Sequence, residues 1–139
     1  MSIPLILDSS ATLAWLLPDE TNEQVDVLFH TIAVRGAYVP SLWALEVGNG
    51  LLVAERRKRI SRHTRLALIQ HLKDLPIEVD PHTSDYAFHN TSTLAEKYGL
   101  TLYDAAYLEL ALRLKGHLAT LDAALIKAAQ REKVLLTLL

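Results

Sequence analysis

The feature that most limits what this chain can fold into is its alternation of short apolar runs with longer helix-like segments. Ile3–Leu7, Ala37–Val39, Ile77–Val79 and the HLATL run that begins at His117 are short and apolar, bounded by Asp, Gly or Pro, which is how buried strands read. Between them the spacing predicts helices. One starts at ATLAWLL and is broken by Pro18, and a second covers Asp19 to Val34 and ends at Gly36. A long helix, LWALEVGNGLLVAERRKR, is capped by Ser41, and the next is capped by Ser61 and runs to about Asp74. Thr83–Tyr98 has weaker periodicity, Ala123–Glu132 follows later, and the chain ends on the apolar VLLTLL. Such alternation predicts an α/β fold, a small parallel β-sheet flanked by helices in an α/β/α sandwich. The 139 residues suffice for one core and show no linker, repeat or low-complexity segment, so 1–139 reads as a single domain.

Composition removes several function classes. Half of the residues are hydrophobic, which excludes a disordered chain. The absence of cysteine excludes a disulfide scaffold and a thiolate metal site, and suits a reducing cytoplasm. MSIPLILDSS lacks a basic start and meets Asp8, so it is not read as a signal peptide, and no apolar run reaches the length of a membrane span. A net charge of −2 gives no global attraction to nucleic acid. The basic residues are nonetheless uneven: six of the fourteen Lys and Arg fall between Arg56 and Arg65. A mean hydropathy of +0.17 leaves two explanations, an apolar surface kept for a partner or an Ala- and Leu-rich helical core.

GLTLYDAAYLELALRLKGHLATLD, Gly99 to Asp122, carries the densest information. Thr101 reads as a helix N-cap, and Asp104 three residues later completes a Thr-x-x-Asp capping pattern. Leu108, Leu110, Ala111, Leu112 and Leu114 make the helix apolar on most sides, so it is expected to be buried, and Gly116 to end it. Asp122 then falls at the carboxyl edge of a strand, which is where open parallel sheets build their sites.

Four acids become candidates, and each has a plainer explanation. Asp8 follows a strand and can cap the next helix, although Ser9 and Ser10 beside it could do so too. Asp122 has the same alternative. Asp104 can be a capping-box acid. Glu46 is the one charged side chain between Leu42 and Ala54; buried, it would need a partner or a metal, and otherwise it lies on a solvent-facing stripe with Asn49. Gly48 and Gly50 each cost the helix about 1 kcal/mol relative to Ala and suggest close packing. If the four acids meet, they repel one another unless a hard divalent cation sits among them, and Mg²⁺ or Mn²⁺ takes such oxygen ligands.

LILDSSA, PSLWALEVGNGLLVAERRKRIS, YGLTLYDAAYLELAL and LATLDAAL stand in an order and at a spacing that resemble the PIN-domain ribonucleases of the bacterial VapC toxin type. The resemblance covers the whole chain and implies a single PIN-like domain. It implies that Asp8, Glu46, Asp104 and Asp122 match the family's four acidic positions, which hold Mg²⁺ or Mn²⁺, with Ser9 and Thr120 in support. It also implies a cognate antitoxin as partner, RNA as substrate and a homodimer. Gly48 and Gly50 depart from the small residues such as Ala expected there.

The chemistry is consistent with the residues present. Metal-assisted phosphodiester hydrolysis needs no Cys, no Ser–His pair and no Gly-rich phosphate loop. The six histidines are scattered, without a tight ligand spacing. Arg56, Arg57 and Arg59 are the candidate RNA contacts, with Lys58, Arg62 and Arg65 beside them; the alternatives are a solvated helix end stabilised by its macrodipole or a surface for the antitoxin. Two other functions compete. A catalytically silent PIN-like binding or regulatory module has no need to keep four acids. A receiver-type phosphoryl-transfer protein would want paired acids near the first strand and a late Lys, where this chain has Ser9, Ser10 and Asp122.

Overall fold

The computed structural model describes residues 2–138. Five short strands form one parallel sheet: β1 (Leu5–Leu7), β2 (Ala37–Val39), β3 (Ile77–Val79), β4 (His117–Ala119) and β5 (Leu135–Leu136), in the order β3-β2-β1-β4-β5. Register is set by Ile6 opposite both Tyr38 and Leu118. β1 is buried at every residue, as a central strand covered on both faces must be.

Seven α-helices connect the strands: α1 (Ser9–Leu16), α2 (Glu23–Arg35), α3 (Trp43–Arg56), α4 (Arg62–Lys73), α5 (Ser92–Tyr98), α6 (Leu102–Leu114) and α7 (Ala123–Arg131). The chain moves from β1 outward to β3, then crosses back past β1 to β4 and β5. Right-handed crossovers in opposite directions put α1–α4 on one face and α5–α7 on the other. The core follows from this: Ile6, Leu7, Leu51, Leu108, Leu110 and Leu118 are sealed from solvent, and Trp15 stacks on Phe29 at 4.1 Å.

Several expected boundaries shift, each for a local reason. The first strand begins at Leu5, not Ile3. The expected Asp19–Val34 helix starts at Glu23, because Asn22 supplies the cap to the Val25 N–H at 2.9 Å. Ser41 does not cap α3, which starts without any side-chain cap at Leu42; the Ser41 N–H instead donates to Thr83 Oγ1. The long helix stops at Arg56, and Lys58 turns to φ 61°. Thr83–Tyr98 is not one α-helix: a 3₁₀ turn (Thr83–Tyr86) and a π segment (Ala87–Thr91) precede α5, which explains its poor 3.6-residue period. Lys115, not Gly116, takes the left-handed position ending α6. Gly116 is required for a different reason, since a Cβ there would lie 2.6 Å from the Pro4 carbonyl oxygen. Gly50 likewise allows α3 to approach Leu13, whose methyl would sit 2.5 Å from an added Cβ, whereas Gly48 faces nothing within 4 Å. The apolar end contributes β5; its last residue, Leu139, lies outside the described residues.

Candidate functional site

β1 and β4 are adjacent strands from which the chain departs in opposite directions, so their carboxyl ends flank the sheet's switch point, where crevices form. Asp8 leaves the end of β1 and is almost fully buried. It caps α1 itself, accepting from the Ala11 N–H at 2.9 Å, so neither serine holds that role. The Ser10 hydroxyl donates to its carboxylate at 2.7 Å and the Thr120 hydroxyl at 2.5 Å. Those two hydroxyls in turn accept the Leu121 and Asp122 N–H groups, at 2.9 and 3.0 Å. The end of β1 and the loop after β4 are thereby laced together. Burial pushes the Asp8 carboxyl up from 3.8 to about 6, against the three hydrogen bonds and with help from the Asp122 charge.

Asp122 caps α7 through one oxygen, to the Leu125 N–H at 3.0 Å. Asp104 sits in the first turn of α6, half-buried. Its N–H donates to the Thr101 hydroxyl at 3.1 Å, the forward half of the expected capping box. Burial, then the charges of Asp122 and Glu46, raise its carboxyl. Glu46 lies in the first turn of α3 and is half-exposed, because α3 buries a single stripe, Trp43, Val47, Leu51 and Ala54. Its Oε1 accepts from the Tyr107 hydroxyl at 2.6 Å and from Ser9 at 3.3 Å.

The four acids thus share one electrostatic neighbourhood over the switch point: Asp122 repels Asp8 and Asp104, and Glu46 repels Asp104. Among the described residues, no three acidic or imidazole side chains converge closely enough to ligate one ion together as they stand. The donor chemistry still fits Mg²⁺ or Mn²⁺, since every group is a hard oxygen, and Mg²⁺ binds through one or two carboxylates and keeps its remaining waters. Asp8 and Asp122 each cap a helix, and capping engages only one oxygen of Asp122.

The basic cluster lies elsewhere. From Glu46 to Arg57 helix α3 rises about 16 Å, away from the acids. Arg59 is held by Asp19 at 2.8 Å and Glu20 at 2.9 Å, and Arg65 by Glu55 at 2.6 Å.

Ser10 and Tyr107 escaped the sequence reading. Tyr107 did leave a signal: it is the one hydroxyl in the buried run Ala105–Ala111. Glu109 was passed over too. With Asp80 it binds Arg113, at 2.8 and 2.6 Å, in an ion triad beneath the Tyr86 ring.

A family model described as the PIN domain matches residues 5–131. Ribonuclease VapC3 of Pyrobaculum aerophilum is 31% identical over 118 residues, which span 85% of this chain and 88% of that protein. Among solved structures, PAE2754 of Pyrobaculum aerophilum superposes with a TM-score of 0.67 at 23% identity, over 91% of this chain and 79% of that one. A toxin–antitoxin complex from Klebsiella pneumoniae gives 0.60 at 15% identity, over 98% of both chains. FitAcB of Neisseria gonorrhoeae gives 0.59 at 17% identity, over 91% of this chain and 93% of that one. The five-stranded parallel sheet, the acids gathered at its switch point and the likeness to VapC3 agree, and the chain belongs to the PIN-domain family, in its VapC branch.

Proposed function

We propose that this chain is a divalent-metal-dependent endoribonuclease, the toxin of a toxin–antitoxin pair, working as one PIN-like domain over residues 1–139. The observation that supports this reading is the shared electrostatic neighbourhood of Asp8, Glu46, Asp104 and Asp122 over the switch point, with Asp8 and Asp104 both raised. An arrangement in which neighbouring carboxylates oppose the ionisation of Asp8 and Asp104 is a poor structural device and a good cation site. These four residues would hold Mg²⁺ or Mn²⁺, which when bound neutralises charge at phosphorus and makes water a stronger nucleophile.

The chain's own groups do the rest. Ser10 and Thr120 fix the Asp8 carboxylate, and Ser9 and Tyr107 fix one oxygen of Glu46. Arg56 and Arg57, at the distal end of α3, are assigned to the phosphates of a longer RNA; Arg59 would join them only by releasing Asp19 and Glu20. Val34, Leu45, Phe88 and Tyr103 expose apolar area suited to an antitoxin and a second copy of the chain. No helix among the described residues is long and apolar enough to cross a membrane, and a cytoplasmic location is part of the proposal.

The test is RNA cleavage by the purified chain with Mg²⁺ or Mn²⁺, with EDTA, and in Asp8→Asn and Asp104→Asn variants whose far-UV CD matches wild type. Cleavage should need the metal and be lost in both variants. Undiminished cleavage by either variant sinks the assignment and leaves the silent binding module in its place.

A further inference from the structure

We infer that Tyr107 is the positioning residue of the acid site: its hydroxyl clamps Oε1 of Glu46 and leaves Oε2 as the oxygen available to the cation. This rests on the reading above, in which Glu46 is a cation ligand.

Glu46 needs such a clamp. It stands in the first turn of α3, half-exposed, on a side chain with three rotatable bonds, and nothing on its own helix holds it. A ligand free to sample rotamers loses that freedom when it binds, which weakens binding. Two hydroxyls remove the freedom beforehand. Tyr107 donates to Oε1 at 2.6 Å, within the range of charge-assisted O–H···O⁻ bonds, and Ser9 donates to the same atom at 3.3 Å. Among the described residues no hydrogen bond reaches Oε2.

The Tyr107 ring is itself immobile, with 1% of its surface exposed. It lies three residues after Asp104 on α6, hence on the same face of that helix. Helix α6 therefore brings one acid to the site and orients another that belongs to α3, across the two helical layers. A buried phenol also needs a partner for its own sake, so the test must separate orienting Glu46 from merely satisfying Tyr107.

The decisive experiment is calorimetric titration of the full chain with Mn²⁺ for wild type, Tyr107→Phe, Glu46→Gln and the double variant, each checked by far-UV CD. Tyr107→Phe should weaken Mn²⁺ binding about 10-fold, the usual effect of removing a group that orients a ligand. Glu46→Gln should weaken it at least as much, and the double variant should bind no more weakly than Glu46→Gln alone, because Tyr107 acts through Glu46. In RNA cleavage, Tyr107→Phe should need correspondingly more Mn²⁺ and approach the wild-type rate at saturation. Unchanged affinity in Tyr107→Phe, beside a loss in Glu46→Gln, overturns the clamp and leaves the acid site intact. Additive losses in the double variant also overturn it. Unchanged affinity in Glu46→Gln overturns both the clamp and the role of Glu46. If Tyr107→Phe does not fold, Ser9→Ala removes the second donor to the same oxygen: weakened binding that disappears in the Glu46→Gln background supports the clamp, and wild-type affinity overturns it.

Discussion

Asp8 answers to two opposed requirements, and pH separates them. Its carboxyl is raised from 3.8 to about 6, first by burial, so between those values the cation-free folded state holds a proton that the unfolded chain releases. Stability in EDTA must therefore fall as pH rises through that window and level off above it. The shift corresponds to about 3 kcal/mol at 1.36 kcal/mol per unit. Asp8→Asn keeps an oxygen for the Ala11 N–H and loses the charge. In EDTA near neutral pH it should be more stable than wild type by up to that amount, with the gain vanishing near pH 4. Asp104→Asn should shift stability in the same direction. Urea unfolding at the two pH values checks this; variants less stable than wild type at both would make the acids simple caps. If Asp8 holds the cation as proposed, it does so as the ionised carboxylate, and Mn²⁺ affinity should rise from about pH 5 to pH 7. These acids were legible in the chain because strand ends and helix starts are visible locally. Ser10 and Tyr107 were not, because a hydroxyl becomes informative only when something from another element meets it, Leu121 and Glu46 respectively.

Helix α6 shows how an element can carry a site at one end and a structural anchor at the other. Asp104 and Tyr107 occupy its early turns, and Arg113 in its last turn grips Asp80 and Glu109, both buried. Burial alone would raise the Asp80 carboxyl; the Arg113 fork outweighs it and holds the group below the usual range. Arg113→Met fills similar volume but leaves two buried carboxylates without a cation, and should cost about 3–5 kcal/mol near neutral pH. Since the folded pKa of Asp80 is depressed, the wild-type advantage is present above about pH 4 and shrinks below it. Urea melts at neutral and acidic pH measure both; a loss under about 1 kcal/mol at neutrality would mean that the triad is solvated. The Glu109–Arg113 pair stood in plain sight at helical spacing, whereas Asp80 could join it only through the fold. The π segment before α5 and the two-residue β5 are opaque to periodicity, since neither is long enough to repeat a pattern.

At the scale of the whole molecule, the basic patch and the acid site occupy opposite ends of α3. If Arg56 and Arg57 grip phosphates, Arg56→Ala with Arg57→Ala should weaken RNA binding and lower the slope of log affinity against log salt by about two units, one for each lost contact. An unchanged slope measured by filter binding would assign the patch to a protein partner. The α/β architecture was readable from alternation alone, but the switch point that gathers the acids depends on strand order, which no local pattern encodes. That order also sets a schedule. Asp8 takes its hydrogen bond from Thr120, 112 residues later, and β1 meets its β4 neighbour only once His117–Ala119 exist. On a ribosome, most of the protein emerges while the first acid waits beside an unpaired strand edge, and closing so distant a contact is slow in itself. The link between Asp8 and Thr120 is therefore a late product of synthesis, since it cannot form before Thr120 itself has been made.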